Sequence, residues 1–136
     1  MLLDIVVVAI DGNCRGYTET RKAVEESCGT ELSVLLVCAV PDPPVERWLL
    51  LDSRAFKVVL GTGCDAPDSK CDKERYKGVL ASAVRSASGS RPALGGLEFA
   101  NDIVEQMDLE QVLAKDTSAG RFISDFRAAV RKGCTT

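Results

Sequence analysis

Residues 6–16 read VVVAIDGNCRG, and the fold turns on how this stretch is parsed. A β-branched apolar run ends at Asp11, and Asn13 and Gly16 follow at short spacing. Such a run reads as a strand, and the wider segment Leu3 to Ile10 is apolar enough to expect burial on both faces. A buried strand that delivers an acid at its carboxyl end places it where open α/β sheets bind ligands. Asp11 and Asn13 then offer two oxygen donors of the kind Mg²⁺ accepts. The same residues also suit a plain strand-to-helix turn, because Asp, Gly and Asn favour turns for local reasons.

Working outward, Thr18 can cap a helix through RKAVEESC, with Gly29 as its stop. Leu32 to Val40 (LSVLLVCAV) is a second apolar strand. Strand, helix and strand in this order make a βαβ unit with parallel strands. Pro41-Asp42-Pro43-Pro44 stops the second strand, and Pro44 suits the first turn of a short helix carrying Val45, Trp48, Leu49 and Leu51. Ser53 is a candidate cap for a further helix over 54–60, with Gly61 ending it. The polar loop from Gly61 to Asp72 matches neither a dinucleotide fingerprint nor a calcium loop.

The rest reads as helical. Tyr76, Val79, Leu80, Ala83, Val84 and Ala87 recur at helix spacing, as do Phe99, Ile103 and Met107. Thr117 or Ser118 can cap a last helix carrying Phe122, Ile123, Phe126 and Val130, with Gly133 as its end and a mobile tail beyond. The 136 residues suit a single domain, with an α/β core over 1–60 and a helical extension over 61–136.

Composition narrows the chemistry. The chain has no histidine, so Ser-His-Asp and Cys-His nucleophile arrangements and histidine-bearing zinc sites lack their essential group. Catalysis would rest on carboxylates, Lys, Tyr, Cys or a metal held by oxygens. A net charge of −3 gives no overall attraction for nucleic acid. Local basic patches exist on the helical half, where Lys73, Lys77, Arg85, Arg127 and Arg131 could hold a phosphate backbone or simply form solvated helix faces. The start MLLDIVVVAI lacks a basic leader and is too short to span a membrane, which points to the cytoplasm and to six reduced cysteines. No CxxC pair occurs, Cys38 reads as a small core hydrophobe, and nothing positive supports redox pairing of Cys64 with Cys71.

With both strands placed, the pattern resembles the toprim fold, the metal-binding α/β module of topoisomerases, primases and overcoming-lysogenization-defect nucleases. The signature strand followed by Asp-x-Asp and a glycine stands here as Ile10-Asp11-Gly12-Asn13-Cys14-Arg15-Gly16. The segment from Val40 through Glu46, Trp48, Leu49 and Leu50 to Asp52 is similar to a proline-led Glu-x-Trp-Leu-Leu stretch in small bacterial toprim-like families linked to phage defence. The resemblance covers residues 3–60.

It implies a toprim-like parallel-sheet core and Mg²⁺- or Mn²⁺-dependent phosphoryl transfer on nucleic acid. Asp11 and Asn13 would be the metal ligands, and Asp11 and Glu46 the catalytic carboxylates. Asn13 replaces the usual second Asp, which lowers the charge available to a cation. The Glu-bearing strand that toprim domains carry earlier is expected to be missing, because too little chain precedes Leu3. Glu46 equally suits a helix N-terminus, Asp42 a cap or the acidic cluster, and Trp48 a core anchor or a base-stacking platform. The alternative implied function is a non-catalytic subunit that docks through an exposed sheet edge onto a partner such as an ATPase or onto a second copy. A small-molecule-binding α/β domain is the third.

Overall fold

The computed structural model describes residues 5–29, 36–64 and 71–134. The readings that fall on 1–4, 30–35, 65–70 and 135–136 lie outside the described residues. Strand β1 (Val6–Ala9) pairs in parallel with β2 (Leu36–Ala39), Val6 opposite Leu36 and Ala9 opposite Ala39, and α1 (Tyr17–Cys28) connects them. The βαβ expectation therefore holds. Two further helices, α2 (Val45–Leu49) and α3 (Ser53–Leu60), follow β2. Then come α4 (Lys73–Ser88), a 3₁₀ turn at Leu97–Phe99, α5 (Ala100–Gln106), α6 (Leu109–Lys115) and α7 (Thr117–Cys134). The chain is α/β and mostly helical, and no described helix is long and apolar enough to cross a membrane.

The two strands differ in burial. All four residues of β2 are buried, whereas β1 alternates, with Val7 at 44% and the adjoining Ile10 at 46% exposure. The expectation of a strand covered on both faces is thus corrected for β1. Val6 and Val8 pack with Val24, Leu36, Cys38 and Val40 under α1. The other face of β1 is exposed, and among the described residues the sheet has two strands. Burial pushes the Cys38 thiol up, which suits an inert core residue.

The largest core joins both halves of the chain: Leu49, Leu50 and Phe56 pack with Leu80, Val84 and Ile103. Tyr76, Leu80 and Val84 are the buried face of α4, as their spacing predicts. Gly96 closes this core at φ 99, and a Cβ there would stand 2.9 Å from Leu80 Cγ, so both conformation and space call for glycine.

Aspartates start most of the later helices. Asp52, rather than Ser53, caps α3 by accepting a hydrogen bond from the Ala55 amide at 3.1 Å. Asp72 does the same for α4, Asp108 for α6, and Asp116, rather than Thr117 or Ser118, for α7. Glycine stops follow as expected at Gly29 and Gly61, but Gly133 lies within α7. Thr18 lies within α1, which opens at Gly16 without a side-chain cap.

Asp52 also ties α3 to α6, since its second oxygen accepts from the Asp108 amide at 2.9 Å. Burial alone would raise its carboxyl, but the Asp108 and Ala55 amides and neighbouring Arg54 outweigh it and hold the group below the usual carboxylate range. A depressed folded-state value adds stability that is present above the unfolded value, about pH 3.9, and is lost as pH falls through the folded value. Urea unfolding between about pH 5 and pH 2 should therefore show a steeper acid loss for wild type than for Asp52→Asn. Equal slopes would remove Asp52 from the acid limb.

Candidate functional site

Both strands deliver their carboxyl ends to one place. The Ile10 amide donates to Ala39 O at 3.0 Å and the Gly12 amide to Pro41 O at 2.8 Å, so the chains stay side by side past the sheet. This sets Asp11 and Asp42 on neighbouring turns. Gly12 lies between them so tightly that a Cβ there would stand 2.8 Å from Asp42 Cγ. The approach of the Asp42 side chain to the backbone at Gly12 needs a residue without a side chain there.

Each carboxylate is held by one oxygen. Asp11 Oδ1 accepts from the Val45 amide at 3.1 Å, at the start of α2. Asp42 Oδ1 accepts from the Cys14 amide at 2.7 Å. The Oδ2 atoms of both make no hydrogen bond among the described residues. Asn13 and Cys14 follow at φ 48 and φ 68, two successive non-glycine residues in the left-handed region, and Asn13 is exposed.

Two cavities flank the strand ends. One, of about 310 Å³, runs between β1 and α1 and is lined by Asp11 and Asn13 together with Arg15 and Thr20. The other, of about 300 Å³, is lined by Asp42, Tyr17, Arg47, Lys115 and Arg121 and opens at the first turn of α7. Arg121 lies over the Tyr17 ring at 4.0 Å, and Tyr17 donates to Asp125 at 3.0 Å. Burial is the main cause that raises the Tyr17 hydroxyl, which therefore stays protonated at neutral pH.

The predicted residues are distributed unevenly. Asp11 and Asn13 come together on one cavity, and Asp42, a candidate cap or accessory acid in the sequence, packs against Gly12 and lines the other. Glu46 lines neither cavity; it is buried, at 7% exposure, and its Oε2 has no hydrogen-bond partner among the described residues. Trp48 is a core anchor, donating from Nε1 to Ser118 at 2.9 Å and stacking on Phe122 at 6.0 Å. Lys73, Lys77 and Arg85 sit exposed along α4, where Arg85 and Arg91 line a separate cavity of about 600 Å³. Arg127 and Arg131 are exposed on α7, with Arg127 paired to Glu110 of α6 at 3.2 Å.

One expectation is reversed. Cys14 and Cys71 form a disulfide, with Cα atoms 5.7 Å apart, while Cys28, Cys38, Cys64 and Cys134 take part in no disulfide among the described residues. A reading of six reduced thiols missed this bridge, because the left-handed turn at Cys14 presents its side chain to the residue that precedes the α4 cap.

The donors fit a hard cation. Two carboxylates and the Asn13 side-chain carbonyl are oxygen ligands of the kind Mg²⁺ and Mn²⁺ take. Among the described residues no three acidic or cysteine side chains converge on one point, so water would complete any shell. Comparisons with protein-family models, with curated proteins and with solved structures return no match.

Proposed function

We propose that the chain is a toprim-like module for metal-dependent phosphoryl transfer on nucleic acid, working in the cytoplasm as part of a phage-defence system. The observation that carries the reading is the placement of Asp11 and Asp42 just past the carboxyl ends of two parallel strands, each with one carboxylate oxygen unengaged among the described residues. Asp11 and Asn13, with Asp42 across Gly12, would hold Mg²⁺ or Mn²⁺, which supplies charge neutralisation for a phosphodiester and a lowered pKa for bound water.

The protein's own part is positional. Asp11 is fixed by the Val45 amide and Asp42 by the Cys14 amide, so neither carboxylate must reorganise when a cation arrives. Lys115 and Arg121 line the Asp42 cavity and would receive phosphate oxygens beside the metal. The basic residues Lys73, Lys77, Arg85, Arg127 and Arg131 would meet the flanking backbone. Glu46, buried away from both cavities, is given no catalytic step.

A second reading is favoured by a separate observation. The outer edge of β1 has no strand beside it among the described residues, and Val7 and Ile10 are exposed there. That edge suits strand addition by a protein partner in a chain without turnover.

A cleavage assay separates the two. Single- and double-stranded DNA and RNA, incubated with protein and Mg²⁺ or Mn²⁺, should be cut by wild type. Asp11→Ala should lower the rate by at least about a hundredfold, the scale for removing a group that stabilises transition-state charge. No cutting of any substrate with either ion overturns the catalytic reading and leaves the docking one.

A further inference from the structure

The Cys14–Cys71 disulfide closes a 57-residue separation and connects the turn after β1 to the start of α4. Cys14 belongs to the turn that carries Asp11 and Asn13, and its own amide holds Asp42 Oδ1 at 2.7 Å. Cys71 immediately precedes Asp72, the cap of α4. Asn13 and Cys14 both occupy left-handed backbone, which asparagine tolerates but cysteine rarely adopts, so an outside constraint at Cys14 helps the turn to keep this shape. The bridge is a covalent constraint acting directly on it. Both cysteines are exposed, so a soluble reductant can reach the sulfurs.

We propose that this disulfide is a redox switch on the candidate metal site. Oxidised, it holds the turn so that the Cys14 amide fixes Asp42 and Asp11 and Asn13 share one cavity. Reduced, the turn relaxes toward ordinary backbone, the Cys14–Asp42 hydrogen bond is lost and cation affinity falls. The proposal rests on the reading of Asp11, Asn13 and Asp42 as that site.

The chemistry is thiol–disulfide exchange with a dithiol protein of the thioredoxin class. A thiolate of the reductant attacks one sulfur of the bridge, forming a mixed disulfide and expelling the other as a thiolate. The reductant's second thiolate then displaces the remaining cysteine. Two electrons and two protons pass to Cys14 and Cys71, and the reductant leaves as its own disulfide.

The test is calorimetric titration with Mg²⁺ alone, well below the melting temperature, using oxidised wild type, wild type reduced with a phosphine, and Cys71→Ser with and without the phosphine. Alkylation and mass measurement fix the thiol count in each sample, and circular dichroism reports the helices. Oxidised wild type should bind about tenfold more tightly than the reduced form, an ordinary size for coupling between two events on one protein. Cys71→Ser should match reduced wild type and ignore the phosphine.

Equal affinity in the oxidised and reduced forms overturns the switch while leaving the metal site standing. Loss of the helical signal on reduction also overturns it, because the bridge is then a staple of the fold. Binding by no form, or binding that Asp11→Ala leaves unchanged, removes the metal site itself and the switch with it.

Discussion

Asp116→Ala is expected to destabilise the protein by about 3–5 kcal/mol, the cost of removing one partner from a buried ion pair. Asp116 Oδ2 pairs with Arg47, and both side chains are almost wholly buried. Its Oδ1 accepts from the Ala119 amide at 2.8 Å, which caps α7, and from Ser118 Oγ at 2.5 Å. Ser118 Oγ in turn accepts from Trp48 Nε1. Alanine therefore takes the Asp116 carboxylate away from the buried Arg47 guanidinium, removes a helix cap and loosens the residue that orients Trp48. Domains of this kind have about 5–15 kcal/mol in all, so a large share of the stability would go. Replacing both partners, as Arg47→Met with Asp116→Leu, should cost less than Asp116→Ala, because no charge is then stranded. Urea midpoints of the three proteins check this. A single variant within about 1 kcal/mol of wild type would show that the pair does not hold α7 to α2.

Much of this arrangement is readable from local chemistry, and the misses have physical causes. The βαβ unit, the glycine stops at Gly29 and Gly61 and the buried face of α4 follow from periodicity and turn residues. The caps of α3 and α7 are displaced by one residue for a definite reason. Asp52 precedes Ser53 and Asp116 precedes Thr117, both residue types can cap, and the aspartate takes the position in each case.

Burial of β1 was not legible because an apolar run looks the same whether one face or two are covered. The number of neighbouring strands decides that, and it is set by the whole fold. Asp11 and Asn13 stand out in the sequence, yet Asp42 lies far along the chain and comes to the neighbouring turn only through the parallel register and the room left by Gly12. Gly12 was the available signal, since a residue without a side chain between two predicted strand ends marks close approach. The Cys14–Cys71 bridge left no such signal, because it depends on a left-handed turn at a residue type that seldom adopts one.

Thermal unfolding with increasing Mg²⁺ or Mn²⁺ tests the metal site most directly, comparing wild type with Asp11→Ala and Asp11→Asn. A cation that binds only the folded chain stabilises it by about 2.7 kcal/mol at a hundred times its dissociation constant, which is several degrees for a domain of this size. Asp11→Ala loses the Val45 hydrogen bond as well as the ligand, so its metal-free melting temperature should already be lower. Asp11→Asn keeps an acceptor for that amide but removes the charge, which isolates the metal effect. The account predicts that melting rises with either ion in wild type and stays flat in both variants. A wild type indifferent to both ions, or variants that respond as wild type does, would contradict it.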